Sequence, residues 1–102
     1  MRIALLADIH GNYTALKAVL NDIEQMKPDR IVVLGDLVFR GPQPELCVEA
    51  VRNLKVPVIR GNIDELVGTG KIQPGFAKSP EHEAALLEEM AWTRSRLSEE
   101  QL

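Results

Sequence analysis

The chain has 102 residues, of which 45% are hydrophobic, and this composition suits one small globular domain. Its 12 basic and 15 acidic residues give a formal net charge of −3, which argues against a basic surface for nucleic acid or an anionic membrane. A single cysteine, Cys47, excludes an intrachain disulfide.

The first predicted element is a strand, because residues 3–7 form a short apolar run that stops at Asp8. This run is too short for the core of a signal peptide. No run in the chain approaches the roughly 18–20 apolar residues that span a membrane. Together with the lone cysteine, these features predict a soluble, cytoplasmic protein that does not bind membranes.

A helix is predicted next, because apolar residues recur at helical spacing. They form one face made of Leu16, Val19, Leu20, Ile23 and Met26. Pro28 lies just beyond this face, and residues before a proline disfavour helix. A second strand is predicted over residues 31–34, which are rich in β-branched side chains and stop at Gly35-Asp36.

A second helix is predicted after Pro42 and Pro44, since prolines are tolerated at a helix entrance. Its apolar face consists of Leu46, Cys47, Ala50, Val51 and Leu54. A third strand is predicted over residues 56–59, with Pro57 near its start. The order strand–helix–strand–helix–strand predicts an α/β fold, with parallel strands buried on both faces and joined by right-handed crossovers.

A loop and a third helix are predicted for the rest of the chain. Residues 68–80 contain several glycines and prolines without a clear period, which indicates a loop. Ser79 is expected to cap a helix that starts at Pro80 and ends between residues 92 and 96. Residues 98–100 are expected to open a further helix.

Each predicted strand is followed by side chains that can bind metal or phosphate. Asp8 and His10 follow the first strand, Asp36 the second, and Asn62 and Asp64 the third. Because the carboxyl ends of parallel strands lie along one edge of a sheet, these side chains are expected to meet there. Carboxylate, imidazole and amide oxygen are suitable ligands for Mn²⁺, Fe or Zn²⁺, and a carboxylate can bridge two ions about 3.5–4 Å apart.

Three motifs after these strands resemble the first three motifs of the calcineurin-like metallophosphoesterases. They are Asp8-Ile9-His10, Gly35-Asp36 and Gly61-Asn62-Ile63-Asp64, in this order. The first two motifs, with their flanking residues, are most similar to those of the small bacterial phosphodiesterases and related phosphatase-like proteins. The resemblance covers roughly residues 1–97. It implies a parallel βαβαβ unit with flanking helices, as half of a four-layer αββα sandwich, with residues 1–102 as the N-terminal part of a single domain.

The resemblance also implies a metal centre and a reaction. Asp8 and His10 would bind the first of two divalent ions, Asp36 would bridge both, and Asn62 would bind the second. Mn²⁺ is the expected ion, with Fe, Zn, Co, Ni and Mg as alternatives. The implied reaction is hydrolysis of a phosphodiester or a small phosphomonoester by a hydroxide that bridges the two ions.

Further residues match the family in part. Arg40 and Arg60 correspond to arginines of the related protein phosphatases, and with Asp64 they form the expected substrate-binding set, in which Asp64 would orient a ligand rather than bind metal. Ile63 stands where those phosphatases have a histidine, and Phe39 stands where they have an aspartate. Both departures argue against a protein serine/threonine phosphatase.

The later motifs of the family contain histidines that this chain does not match, because its second histidine, His82, lies in the predicted third helix. The 102 residues alone are therefore expected to hold an incomplete site.

Other interpretations remain open at this stage. The chain could be a non-catalytic module that binds one metal ion or a nucleotide, or an inert fragment whose exposed sheet edge drives homo-oligomerisation. Arg40 and Arg60 could be ordinary surface charges, and Asn62 could form an Asx-turn. Trp92 is expected to pack with neighbouring apolar residues rather than to form a substrate platform.

Overall fold

The computed structural model describes residues 1–72, 75–99 and 101–102, and it has the predicted α/β class. Two strands and four helices follow in the order β1 (Ile3–Leu6), α1 (Tyr13–Met26), β2 (Arg30–Val33), α2 (Pro44–Leu54), α3 (Asn62–Thr69) and α4 (Pro80–Arg96). No helix among the described residues has both the length and the apolar character needed to cross a membrane.

The sheet contains the first two predicted strands, and these pair in parallel with Ile3 opposite Arg30. The predicted third strand is wrong as a full strand, since its described residues form only one parallel bridge, between Val58 and Val33. Val33 donates its N–H to the carbonyl of Pro57 at 3.0 Å and accepts from the N–H of Ile59 at 2.8 Å. Pro57 has no N–H to extend the ladder, so the segment lies beside β2 without becoming a longer strand.

One face of the sheet is covered by α1 and α2. These elements share a sheet core made of Leu6, Leu16, Val33, Cys47 and Val51. The expectation that the strands are buried on both faces is not met within the described residues, because Ile3 and Leu5 of β1 are 54% and 64% exposed.

A second core joins α2, α3 and α4 to the segment after β2. This helical core consists of Val38, Phe39, Val48, Leu66, Val67, Leu86 and Met90. Phe39 is fully buried there, which gives an aromatic side chain a packing role at the position where the protein phosphatases have an aspartate. Trp92 is 45% exposed, whereas Leu86 and Met90 are buried in this core.

The third predicted helix is α4, and it begins as the sequence indicates. The Ser79 hydroxyl accepts the N–H of His82 at 3.0 Å, with Pro80 as the first helical residue. The described residues after α4 form a turn rather than a helix, in which the N–H groups of Gln101 and Leu102 both donate to the Ser98 carbonyl. Glu100 lies outside the described residues.

The helix α3 was not predicted, and its last residues occupy the start of the segment expected to be a loop. The sequence contains two weak signals for this helix, which are the acidic residues of its first turn and Gly70 just after its end. Gly70 has the left-handed conformation in the structure. Residues 73 and 74 of the predicted loop lie outside the described residues.

Cys47 is fully buried in the sheet core. Burial, reinforced by the nearby negative charge of Glu45, raises the pKa of its thiol to about 11. We therefore expect iodoacetamide at pH 8 to leave the folded protein unmodified and to alkylate Cys47 rapidly in denaturant, which mass spectrometry would measure. Rapid alkylation without denaturant would show that α2 does not hold Cys47 in the core.

Candidate metal centre

Three loops meet at the carboxyl edge of the sheet, and backbone hydrogen bonds join the first two. Loop 1 (residues 7–12) follows β1, loop 2 (residues 34–43) follows β2, and loop 3 (residues 60–61) precedes α3. The N–H of His10 donates to the Asp36 carbonyl at 3.0 Å, and the N–H of Gly11 donates to the Leu37 carbonyl at 2.8 Å. These bonds hold the first two motifs side by side.

Glycines allow the loops to approach this closely. A Cβ added to Gly41 of loop 2 would lie 2.1 Å from the His10 carbonyl oxygen, and one added to Gly35 would lie 2.6 Å from the Gly61 nitrogen. Because these neighbours are backbone atoms, they could not move aside as a flexible side chain does. Any residue with a Cβ at either position would therefore separate two loops.

Asp8, His10 and Asp36 converge at this edge. Each offers a ligand atom, and the three atoms lie within 4.8 Å of one another. Asp8 Oδ1 is 3.6 Å from His10 Nε2, which is short enough for both atoms to reach one ion at about 2.1 Å. The side chain of Asp8 is 72% exposed and that of His10 is 31% exposed, so the cluster opens to solvent.

The ring of His10 is oriented by loop 2. Its Nδ1 lies 3.3 Å from the carbonyl oxygen of Val38. This hydrogen bond requires the proton on Nδ1, which leaves the lone pair of Nε2 directed toward Asp8. Metal-binding histidines in proteins are commonly oriented by such a bond to a carbonyl, and the motif Asp8-Ile9-His10 did not reveal it.

The same three residues have left-handed backbone conformations, with φ of 55° at Asp8, 47° at His10 and 55° at Asp36. This region is sparsely populated by residues other than glycine, although aspartate and histidine tolerate it better than most. The hydrogen bonds between loops 1 and 2 offset this cost. Backbone strain of this kind clusters at functional sites.

Asn62 adjoins the cluster through Asp36. The N–H of Ile63 donates to Asp36 Oδ1 at 3.1 Å and to Asn62 Oδ1 at 3.0 Å, so the two oxygens lie close together. Both are at the N-terminus of α3, where unpaired backbone N–H groups favour negative charge. The structure thus groups Asp8, His10 and Asp36 in one cluster, and Asn62 lies next to Asp36 through the N–H that the two side chains share.

Asp64 has a different environment from these four. Its Oδ2 accepts the N–H groups of Asp36 at 2.7 Å and Gly61 at 3.1 Å, and its Oδ1 accepts the N–H of Leu37 at 2.7 Å. The carboxylate is therefore engaged with the backbone of loops 2 and 3. Its position three residues after a glycine N-cap is the one sequence signal for such a role.

The two predicted substrate-binding arginines lie in separate cavities. Arg40 lines a cavity of about 420 Å³ with Glu88, Glu89 and Trp92, and its guanidinium carbon is 6.0 Å from the centroid of the Phe39 ring. Arg60 lines a cavity of about 190 Å³ together with Asp64 and with mainly apolar residues of loop 2, α2, α3 and the end of the chain. Within the described part of the chain, neither cavity includes Asp8 in its lining.

The donor set fits a divalent metal ion. Two carboxylates, one oriented imidazole and an adjacent amide oxygen match the ligand preferences of Mn²⁺, Fe²⁺ and Zn²⁺. Mg²⁺ accepts the oxygen ligands of the same set.

The calcineurin-like phosphoesterase family matches residues 1–96 of the chain. The chain belongs to this family. The chain is 47% identical over 62 residues to an uncharacterized protein of Methanocaldococcus jannaschii, a match that covers 61% of the chain and 26% of that protein.

A solved structure is also similar to this chain. The crystal structure of a metallophosphoesterase from Sphaerobacter thermophilus matches it with a TM-score of 0.71 and 33% sequence identity. The match covers 99% of this chain and 38% of the other, so the chain spans well under half the length of both relatives. The resemblance inferred from the three motifs is confirmed, as is the α/β class with a parallel sheet and flanking helices that it implies.

Proposed function

We propose that this calcineurin-like phosphoesterase hydrolyses a phosphodiester or a small phosphomonoester in a metal-dependent reaction. The observation that carries the proposal is the convergence of Asp8, His10 and Asp36 within 4.8 Å at the loop edge of the sheet. Membership of the family supports it, since the family match spans all three residues. Residues 1–102 would form the N-terminal part of a single phosphoesterase domain.

In this proposal two divalent ions are held, with Mn²⁺ as the expected metal. Asp8 and His10 would hold one ion, Asp36 would contribute to both, and Asn62 would hold the other. When bound, such ions activate water at neutral pH and neutralise the charge of the phosphate group. The placement of the Asp36 and Asn62 oxygens on the same N–H supports the shared role of Asp36.

The protein's own residues position these ligands and limit the range of substrates. The Val38 carbonyl keeps the proton of His10 on Nδ1, so that Nε2 remains available as a ligand. Ile63 cannot protonate a leaving group, and its side chain packs against the helical core. This arrangement favours esters whose leaving group departs without a proton donor from that position, which includes activated phosphodiesters.

A second candidate, a non-catalytic module that binds metal or nucleotide, is favoured by one observation. Arg40 and Arg60 line cavities apart from Asp8, whereas a catalytic site would use at least one of them to bind phosphate. In the catalytic proposal Arg40 serves the phosphate, because loop 2 carries both Arg40 and Asp36.

Replacing His10 by Gln tests the proposal. Hydrolysis of bis(p-nitrophenyl) phosphate with added Mn²⁺ is expected to fall by roughly 100-fold, because a bound ion contributes several kcal/mol to the reaction. Metal content would be measured by inductively coupled plasma mass spectrometry on the same samples. The matched control is His82→Gln, which changes a half-buried histidine at the start of α4 that is not a predicted metal ligand.

Each outcome separates the candidates. In the complete domain that contains residues 1–102, metal binding without hydrolysis would support the binding module, and the absence of both would reject a metal centre at these residues. Equal activities of the His10 and His82 variants would show that His10 is not a ligand.

A further inference from the structure

We infer that Asp64 is a positioning residue for the metal centre: it fixes the backbone of Asp36, and thereby sets the place of the ligand that both ions would share. The inference rests on the proposed function. It changes the role expected for Asp64, because a carboxylate that is used by the protein backbone is poorly available to a substrate.

The contacts of Asp64 carry the first step. Its two oxygens accept three backbone N–H groups, those of Asp36, Leu37 and Gly61, at 2.7, 2.7 and 3.1 Å. Hydrogen bonds to an ionised acceptor are shorter and stronger than those between neutral groups. A carboxylate has about four lone-pair directions, so these contacts occupy most of its capacity.

The second step is that Asp36 is held at both its backbone and its side chain. Asp64 binds the backbone N–H of Asp36, while the N–H of Ile63 binds Asp36 Oδ1. Both tethers come from the first turn of α3, the turn that also carries Asn62. The relative placement of the two ligands is therefore set by this turn rather than by loop 2 alone.

The backbone of Asp36 needs such support. Its φ of 55° lies in the left-handed region, and Gly35 beside it has a φ of 103°. Without the Asp64 carboxylate, two consecutive N–H groups of loop 2 would lose their acceptor at the point of strain. Loop 2 would then be able to relax, and the Asp36 carboxylate would leave the position that it shares with His10 and Asn62.

The opposite end of α3 provides a matched control. The guanidinium of Arg94 in α4 donates to the carbonyls of Val67 and Gly68, the latter at 3.2 Å, and so anchors the C-terminal end of α3. Arg94→Gln removes this anchor without touching loop 2. It is expected to lower thermal stability while leaving the metal centre in place.

The test compares Asp64→Asn with Arg94→Gln in the intact protein. Asparagine keeps the size of the side chain but replaces one acceptor oxygen by an NH₂ group, so at least one N–H of loops 2 and 3 faces another donor. Mn²⁺ affinity, measured by isothermal titration calorimetry, is expected to fall about 10- to 100-fold in Asp64→Asn, as for other residues that orient metal ligands. It should stay within about twofold of wild type in Arg94→Gln.

Amide hydrogen exchange in the metal-free protein gives a readout that does not depend on activity. The N–H groups of Asp36 and Leu37 should exchange faster in Asp64→Asn than in the wild-type protein. In Arg94→Gln they should exchange at the wild-type rate once the change in global stability is allowed for. Both results together would establish positioning through the backbone of loop 2.

Three results would overturn the inference. If Asp64→Asn keeps the wild-type Mn²⁺ affinity but has a raised KM, Asp64 binds substrate instead. If both variants lose the same amount of Mn²⁺ affinity, α3 affects the metal centre only through the stability of the fold. If the wild-type protein binds no Mn²⁺, both the proposed function and the inference are wrong. If the wild-type protein binds Mn²⁺ and Asp64→Asn binds it with the same affinity, only the inference is wrong.

Discussion

Replacing Asp36 by Asn is expected to reduce kcat/KM for bis(p-nitrophenyl) phosphate by at least about 100-fold and to lower the content of both metal ions together. Asp36 has this effect because it contacts the environment of both proposed sites. It belongs to the cluster with Asp8 and His10, and it shares the N–H of Ile63 with Asn62. An amide in its place keeps the shape of the side chain but loses the negative charge, so both proposed sites should weaken.

The measurement pairs activity with metal stoichiometry from mass spectrometry of the same preparation. Asp22→Asn serves as the control, because Asp22 is an exposed residue of α1 that is not a predicted metal ligand, and its loss should change neither quantity. If Asp36→Asn keeps the wild-type metal content, Asp36 does not bridge. Loss of one ion with the other retained would assign Asp36 to a single site.

Much of the fold could be predicted because local signals and tertiary contacts agree in it. The first two strands are continuous apolar runs, and α1, α2 and α4 carry apolar faces or clear caps. The four metal-ligand candidates were found because parallel strands end at one edge, and a strand followed by a turn is visible in the sequence. The approach of Asn62 to Asp36 depends in addition on hydrogen bonds from the first turn of α3, which the chain order does not imply.

The errors arise where tertiary contacts decide the outcome. The run at residues 56–59 is apolar enough for a strand, but pairing depends on N–H groups, and Pro57 lacks one. The short helix α3 has few residues with which to show a period, and it depends on Asp64 and Arg94 at its two ends. Neither partner of a long-range hydrogen bond can be identified from spacing along the chain.

Side-chain direction was the least predictable property. Arg40 and Arg60 both belong to motif segments at the same edge, yet they line different cavities. Arg40 follows Phe39, whose buried ring fixes the local backbone, and both residues have positive φ. Side-chain direction also accounts for the exposure of Trp92. The face of α4 that carries Leu86 and Met90 is buried in the helical core, and Trp92 lies on a neighbouring face.

The close packing of loops 1 and 2 leads to the second large effect, which is expected from Gly41→Ala. The added Cβ would lie 2.1 Å from the His10 carbonyl oxygen and 2.4 Å from the Gly11 carbonyl carbon. Since both neighbours are backbone atoms, the loops must separate, and overpacking of this kind costs roughly 1–3 kcal/mol or more. For a domain of this size that corresponds to a decrease in Tm of about 10–20 °C at the upper end.

The separation should also affect the metal centre, because the backbone N–H of His10 is bonded to the Asp36 carbonyl across the same contact. We therefore expect Gly41→Ala to lose Mn²⁺ affinity as well as stability, measured by calorimetric titration and by thermal unfolding.

Gly68→Ala is the control, and it is expected to raise thermal stability rather than to lower it. Its Cβ would meet only the Leu102 carbonyl oxygen at 3.6 Å among the described atoms, and alanine in a helix is favoured over glycine by about 0.5–1 kcal/mol. Equal stability of the two variants would show that loops 1 and 2 do not depend on the contact between Gly41 and loop 1.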